Sequence, residues 1–158
     1  MFIVFAVIVS LFAFVILFGA PYLPTRRAQT QAALDLLNLK PGQTLFELGC
    51  GDGRVLKQAA QRGLLVVGYE LNPILVLTAW LYTWKYRKQV RIIWGNFWKA
   101  DLSRADGVFV FLLDRFMVKL DEKLKAEVHG STKLVSFAFK IPHKKAKRSK
   151  AGIYLYEY

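Results

Sequence analysis

Gly49, Gly51 and Gly53 alternate with other residues in the short segment 47–54. A predicted strand, residues 44–48, precedes this segment, and a predicted helix follows it. Glycines at such a junction let the backbone turn tightly and bring its amides close to a ligand at the helix N-terminus. Glu70 is predicted to end the next strand, about twenty residues further on, where a carboxylate can accept hydrogen bonds from two ribose hydroxyls. Together the two features predict a site for a nucleotide-like ligand.

The spacing of these glycines differs from that of the dinucleotide-binding fingerprint. That fingerprint, G-x-G-x-x-G, needs a glycine at position 54, where this chain has Arg54. The pattern here is G-x-G-x-G. An alternative is that the glycines only make a strand-to-helix turn, but the position of Glu70 favours a ligand site.

Further stretches of the chain extend the pattern beyond the glycine segment. They are an apolar N-terminal segment, Glu47 to Arg54, Gly68 to Pro73 with its Glu-Leu-Asn-Pro run, Phe97-Trp98-Lys99, and Leu120 to Leu124. The whole resembles class I S-adenosylmethionine-dependent methyltransferases, the seven-strand family. Within that family it looks like the small membrane-anchored lysine methyltransferases that modify the ATP synthase c-subunit and the adenine nucleotide translocase in mitochondria. The chain departs from that family at Asn96 and Phe97, which stand where Asp and Leu are usual. The match is also loose beyond Leu113.

The resemblance implies S-adenosyl-L-methionine as the cofactor and assigns residues to it. Groups around the glycine segment would face its methionine end, with amides toward the carboxylate and acidic side chains toward the ammonium. Glu70 would take the ribose hydroxyls, and Leu71 would press against the adenine. The expected cofactor-binding residues are Glu47, Gly49, Cys50, Gly51, Asp52, Gly53, Glu70, Leu71, Asn72, Asn96 and Phe97.

Asn96 and Phe97 follow the third predicted strand, where class I enzymes bind the adenine ring. The carbonyl oxygen of the Asn96 side chain can accept a hydrogen bond from the adenine amino group. Phe97 would then lie beside the ring. Packing of Phe97 and Trp98 in the core or near a membrane is the alternative.

Asp114 is the candidate catalytic residue. A lysine amine, with an ordinary pKa of about 10.4, must lose a proton before its lone pair can attack a methyl group. Asp114 directly follows a predicted strand that ends at Leu113, so its carboxylate could steer or deprotonate the amine. Capping of the following helix is the equally ordinary alternative.

The cysteine and the histidines give little support for a catalytic or metal-binding role. Cys50 is the single cysteine, so neither an internal disulfide nor a Cys-rich zinc site can form. It lies in a loop that favours small residues, which argues against a catalytic thiol. His129 and His143 are expected at the surface, and no metal site is predicted.

Alternating strands and helices must position these residues. The strands are near-continuous apolar runs, as in parallel sheets buried on both faces. Repeated strand-helix units of this size predict an α/β fold with a doubly wound, mostly parallel, Rossmann-like sheet. The predicted helices cover residues 24–37, 54–62, 73–87 and 116–128, and the predicted strands cover 44–48, 64–69, 90–94, 108–113, 134–139 and 153–158.

An uncharged segment precedes this domain. Between Phe2 and Phe18 the sole non-apolar residue is Ser10, and the first charged side chain is Arg26. Residues 1–23 are therefore predicted to be a transmembrane anchor, and residues 24–158 the methyltransferase domain. A cleaved signal peptide and a buried core helix are the alternatives. Because the basic residues all follow the anchor, the domain is expected on the cytoplasmic or equivalent side.

The composition combines a strong positive charge with a large apolar fraction. The 158 residues include 23 Lys and Arg against 11 Asp and Glu, a net charge of +12, and 54% are hydrophobic. Such a chain can bury a core, which excludes a disordered or collagen-like protein. Its densest basic stretch, residues 140–150, is expected to contact an anionic membrane surface. Nucleic acid is a less favoured partner for a tethered protein, and a solvated loop is the third option. The basic residues of the stretch are Lys140, Lys144, Lys145, Lys147, Arg148 and Lys150.

These observations predict a membrane-anchored, S-adenosylmethionine-dependent methyltransferase whose substrate is a lysine of a membrane-associated protein. Methylation of a small molecule or a lipid is an alternative within the same enzyme class. A non-catalytic module that binds a nucleotide, lipid or nucleic acid is the alternative outside it.

Overall fold

The computed structural model describes residues 25–158 as one seven-stranded sheet flanked by helices. The strands are β1 (Thr44–Leu48), β2 (Leu65–Glu70), β3 (Val90–Trp94), β4 (Gly107–Val110), β5 (Lys133–Phe137), β6 (Arg148–Lys150) and β7 (Ile153–Glu157). The α-helices are α1 (Arg27–Leu37), α2 (Arg54–Gln61), α3 (Pro73–Thr83) and α4 (Met117–Glu127). Short 3-10 turns cover Trp84–Tyr86, Phe97–Lys99 and Asp114–Phe116.

The strand order is β3-β2-β1-β4-β5-β7-β6. Strands β1 to β5 pair in parallel, and β7 runs antiparallel to both β5 and β6. This confirms the doubly wound, mostly parallel sheet. The order of the chain reverses between β1 and β4, and ligands of such sheets bind beyond the carboxyl ends of the strands at that point.

The secondary structure differs from the prediction in several details. Strand β4 ends at Val110 rather than at Leu113, and α3 ends at Thr83 before continuing as a 3-10 turn. Strand β6 lies within the basic stretch and was not predicted. Its three residues are exposed at the edge of the sheet, so no apolar alternation marks them in the sequence.

Apolar side chains cover both faces of the sheet. One cluster contains Leu45 of β1 and packs under α1 and α2. The other contains the next residue, Phe46, and packs under α4. Successive residues of one strand thus enter different clusters, which explains why the strands are continuous apolar runs.

Between Thr25 and Tyr158, no helix has the length and apolar character needed to cross a bilayer. The predicted anchor, residues 1–23, lies outside the described residues.

Candidate active site

The candidate site lies at the carboxyl end of the sheet, around the loop that joins β1 to α2. This loop is held against β2, because the amides of Gly49 and Cys50 both donate to the carbonyl oxygen of Tyr69, at 2.9 and 2.8 Å. Its glycines have φ angles of +90° at Gly49, +53° at Gly51 and +80° at Gly53. These left-handed conformations favour glycine, as the sequence pattern suggested.

Two of these glycines differ in what lies beside them. A Cβ atom added to Gly49 would have no atom within 4 Å, so this position borders open space where a ligand can approach the backbone. A Cβ atom at Gly53 would lie 3.0 Å from the Cβ of Ala79. Gly53 therefore permits the close packing of α2 against α3.

Gly68 is a further glycine on which the site depends, although its sequence position alone predicted no role for it. A Cβ atom at this position in β2 would lie 2.8 Å from Leu56 Cδ1 and 2.9 Å from the side chain of Cys50. The missing side chain allows the loop and the start of α2 to lie directly on the strand. A glycine at the middle of an otherwise apolar strand is the sequence signal for such a close approach.

Gly68→Ala is expected to lower the free energy of unfolding by about 1–3 kcal/mol, because the added methyl group overpacks the interior. Thermal unfolding of the ligand-free protein measures the change. Gly95→Ala is the matched control, since a Cβ atom there would meet its nearest neighbour at 3.9 Å. Equal stability of the two variants would contradict the packing argument.

Glu70 ties the ends of two elements together. Its side chain is only 7% exposed. Oε2 accepts a hydrogen bond from the amide of Gly51, and Oε1 accepts from those of Leu71 and Asn72, each at 2.9 Å. A carboxylate oxygen can accept two hydrogen bonds, so Oε2 keeps capacity for a hydroxyl donor. Glu70 thus fixes the glycine loop and can still accept a hydrogen bond from a ribose hydroxyl, its predicted partner.

Acidic groups converge on this loop. Glu47 is 4% exposed, and its Oε2 atom has no hydrogen-bond partner. Burial raises the pKa of Glu47 well above its usual range, and the nearby carboxylates of Asp52 and Glu70 raise it further. Asp52 forms an ion pair with Arg54 at 2.6 Å. A ligand that brings positive charge and hydrogen-bond donors to Glu47 would offset the cost of its burial.

Cys50 is buried in the same loop. Burial raises the pKa of its thiol well above the usual value, and the carboxylates of Glu47 and Glu70 add to the increase. The thiol is therefore protonated near neutral pH and is a poor nucleophile. Its amide donates to the carbonyl oxygen of Tyr69 and its carbonyl oxygen accepts from the amide of Gly53, so the backbone of Cys50 holds the loop together.

Leu71 and Asn72 follow Glu70 at the start of α3. Asn72 is fully buried, and its Oδ1 atom caps the helix by accepting a hydrogen bond from the amide of Ile74 at 2.9 Å. Its Nδ2 atom has no hydrogen-bond partner. Trp94, for which no role was predicted, donates from Nε1 to the carbonyl oxygen of Leu71 at 3.0 Å. These contacts fix the segment predicted to hold the ribose and the adenine.

Asn96 and Phe97 lie just beyond β3 and differ in exposure. The exposed Asn96 accepts a hydrogen bond from the amide of Trp98 at 3.0 Å, which caps the 3-10 turn. Phe97 is buried in the apolar cluster under α4, with its ring centroid 4.7 Å from that of Trp98. Core packing therefore accounts for the Phe97 ring, and an adenine contact would use its edge or its backbone amide.

Asp114 is exposed beyond the carboxyl end of β4. It is the first residue of a 3-10 turn whose N-cap is Leu113, and the N-cap of α4 is Phe116. The capping alternative is therefore wrong for Asp114. Because β4 neighbours β1, Asp114 follows the strand end next to the glycine loop.

Metal-ligating side chains do not cluster in the described part of the chain. Residues 25–158 contain no group of three or more His, Cys, Asp or Glu side chains arranged to hold a metal ion.

A large part of this domain matches a known family. Residues 47–148, more than half of the chain, match the family described as the ANTKMT methyltransferase domain. The chain belongs to this family. The matched residues include the glycine loop, Glu70 and Asp114.

Several relatives of the ANTKMT methyltransferase domain carry protein substrates in their names. An adenine nucleotide translocase lysine N-methyltransferase of Mus musculus is 36% identical over 77% of this chain and 54% of its own. A lysine N-methyltransferase of Xenopus laevis, named for the ATP synthase c-subunit, is 31% identical over 78% of this chain and 55% of its own. A protein-lysine N-methyltransferase of Saccharolobus islandicus (strain REY15A) is 32% identical over 77% of this chain and 78% of its own. The present chain thus spans about half the length of the mouse and frog relatives.

Solved structures share the fold of this domain. An RNA methyltransferase from Salinibacter ruber, in complex with S-adenosyl-L-homocysteine, superposes with a TM-score of 0.80 at 27% identity. The match covers 85% of this chain and 93% of that protein. Together with the family match, it confirms the Rossmann-like class I methyltransferase fold predicted from the sequence.

Proposed function

We propose that this chain is an S-adenosylmethionine-dependent methyltransferase. The observation that carries the proposal is the group of carboxylates, Glu47, Asp52 and Glu70, around the loop after β1, with Glu47 Oε2 buried and without a hydrogen-bond partner. A dinucleotide would bring its negatively charged pyrophosphate to this loop, where the carboxylates would repel it. The methionine end of S-adenosylmethionine instead brings an ammonium and a sulfonium, which the carboxylates attract.

The residues around the loop fit this cofactor in specific ways. Glu47 Oε2 would accept from the ammonium, Gly49 would leave room for the methionine end, and Glu70 Oε2 would accept from a ribose hydroxyl. Leu71 and Asn96 follow β2 and β3 at the same end of the sheet, where they would contact the adenine. When bound, the cofactor supplies a methyl group already activated by its sulfonium, so the protein mainly has to position the acceptor.

The proposed acceptor is a lysine amine of a protein. Names of the mouse, frog and archaeal relatives support this class of substrate. Asp114 would orient the lysine ammonium through a charge-assisted hydrogen bond and help to remove its proton. Its exposure beyond β4, where a protein substrate can reach it, supports that role.

The substrate protein is further proposed to lie in a membrane. Residues 1–23 would anchor the chain, with the catalytic domain on the cytoplasmic or equivalent side. The mouse relative is named for a translocase, and this name supports a membrane-embedded substrate. A tethered active site meets such a substrate at high effective concentration.

The basic stretch at residues 140–150 would contribute less to membrane contact than its charge suggests. Lys140 lies over the ring of Tyr154, Lys144 lies over that of Tyr158, and Lys147 forms an ion pair with Glu157 at 2.6 Å. Ring contacts and an ion pair inside the domain thus engage part of the positive charge of the stretch. Lys145, Arg148 and Lys150 are the exposed residues of the stretch that stay available to an anionic partner.

RNA methylation is the second candidate function. The similar protein from Salinibacter ruber is described as an RNA methyltransferase, and the present chain carries a net charge of +12. A strong positive charge favours binding to phosphate backbones. Methylation of lipids or small molecules, and cofactor binding without catalysis, are the other outcomes that an experiment has to separate.

The test incubates the full-length protein with membranes and soluble extract of its source cells and with methyl-radiolabelled S-adenosylmethionine. We expect label in a membrane protein band that resists RNase and is released as methyllysine on hydrolysis. Asp114→Asn should reduce this label strongly, whereas the control Glu122→Gln, at an exposed site on α4, should not. Label in RNA, in the lipid extract or in no fraction would each overturn the lysine proposal in favour of a different function.

A further inference from the structure

Helix α3 is apolar, yet it exposes most of its side chains. It has no charged residue, and only Leu75, Ala79 and Thr83 are buried. An exposed helix normally shows polar residues on its outer side. The exposed apolar residues of α3, with two tryptophans that follow it, are here called the aromatic face. The aromatic face consists of Ile74, Leu77, Trp80, Leu81, Tyr82, Trp84 and Trp94, whose exposed fractions range from 38% to 69%.

The aromatic face forms one surface along the β3 edge of the sheet. The rings of Trp80 and Trp84 contact each other, with centroids 4.4 Å apart. Trp94 of β3 donates from Nε1 to the carbonyl oxygen of Leu71, and the next residue, Asn72, caps α3. Contiguous apolar surfaces of this kind mark interaction sites rather than ordinary solvent contact.

Positive charge surrounds the aromatic face. Between Glu70 and Asp101 the sequence has no acidic residue but five basic ones, of which four lie between positions 85 and 91 and are exposed. The guanidinium of Arg87 lies 5.1 Å from the Trp84 ring, and Lys57 Nζ lies 3.9 Å from the Tyr82 ring. Tryptophan and tyrosine side chains next to lysine and arginine are typical of surfaces that lie at the headgroup level of a bilayer. The five basic residues are Lys85, Arg87, Lys88, Arg91 and Lys99.

The start of the described chain lies on the same side of the domain. The carbonyl oxygen of Thr25 accepts a hydrogen bond from Arg54 Nη1 at 3.5 Å, and the neighbouring Gly53 packs against Ala79 of α3. Thr25, the first described residue, therefore lies near α3. In contrast, the basic stretch contains β6, at the opposite edge of the sheet from β3.

We propose that the aromatic face is the surface on which the folded domain lies against an anionic lipid bilayer. Its apolar side chains enter the interfacial region, and the surrounding lysine and arginine residues contact lipid phosphates. A protein partner would more often present acidic groups to so basic a rim, whereas a bilayer satisfies the rings and the charges together. Trp94 ends β3 at the carboxyl end of the sheet, so this orientation brings the candidate active site close to the membrane surface.

Tryptophan fluorescence tests this contact directly in the full-length chain. The sequence contains four tryptophans, at positions 80, 84, 94 and 98. Single-tryptophan variants that keep either Trp94 or Trp98, with the others changed to Phe, are added to vesicles of phosphatidylcholine and phosphatidylglycerol with brominated acyl chains. Bromine quenches nearby tryptophans, so Trp94 is expected to lose most of its emission. Trp98, which is half-buried and packs against Phe97 and Phe116 away from the aromatic face, is expected to keep most of its emission.

Polar substitutions provide the matched control. Leu77→Gln together with Leu81→Gln should reduce the quenching of Trp94 severalfold, whereas Val118→Gln, at an exposed apolar position on α4, should leave it unchanged. Circular dichroism verifies that each variant is folded. Equal quenching of Trp94 and Trp98, or an unquenched Trp94 in either a monomer or a dimer, would overturn the proposal. The readout is lipid contact alone, so it is independent of whether the protein transfers methyl groups.

Discussion

Glu70→Gln is expected to lower both the free energy of unfolding and the affinity for S-adenosylmethionine. The wild-type carboxylate accepts hydrogen bonds from the amides of Gly51, Leu71 and Asn72. A glutamine replaces one acceptor oxygen by an NH2 group, which faces a backbone donor and leaves it unpaired. The loss of a charged, buried hydrogen bond costs about 1.5–3 kcal/mol of stability. Because the same change releases the glycine loop, the affinity for the cofactor should fall by a similar free energy.

Two measurements separate these effects. Thermal unfolding without ligand reports the stability, and titration calorimetry at a temperature where both proteins are folded reports the dissociation constant. Glu122→Gln removes the same charge from an exposed position on α4 and serves as the control. A destabilised Glu70→Gln protein with an unchanged dissociation constant would show that Glu70 supports the loop and has no part in binding the ribose.

S-adenosylmethionine and S-adenosylhomocysteine are expected to raise the melting temperature of the detergent-solubilised protein, whereas NAD is not. The carboxylates around the glycine loop favour a ligand with an ammonium over one with a pyrophosphate. At a ligand concentration about 100 times the dissociation constant, binding adds about 2.7 kcal/mol to the stability of the folded state. For a chain of this size the gain corresponds to a shift of roughly 5–11 °C. A shift with NAD and none with S-adenosylhomocysteine would contradict the methyltransferase assignment.

The pH dependence of this shift reports on Glu47. Its pKa in the folded protein is raised, so the folded state binds more protons than the unfolded state above the ordinary glutamate pKa of about 4.3. Its contribution to stability is therefore present at low pH and is lost as the pH rises through the folded-state pKa. A cationic ligand favours ionised Glu47, so the shift with S-adenosylmethionine should grow with pH. In Glu47→Gln this growth should disappear.

The sequence by itself predicted the parts of this protein that depend on local chemistry. Apolar runs predicted the buried strands, and alternate glycines predicted the loop after β1, because the left-handed φ angles at Gly49, Gly51 and Gly53 favour glycine. The spacing of about twenty residues between Gly49 and Glu70 then predicted that the glycines and this carboxylate serve one ligand site. The transmembrane anchor and the catalytic role of Asp114 stay predictions.

Only the tertiary structure decided which neighbours these residues have. Glu70 bonds the amide of Gly51, nineteen positions away in the chain, and Gly68 accommodates the side chains of Cys50 and Leu56. Neither contact follows from a local pattern. Helix α3 is a second case, because the sequence of an uncharged apolar helix predicts that the helix is buried. Whether it is buried depends on what packs against its outer side, and at the β3 edge of the sheet most of its apolar side chains remain exposed.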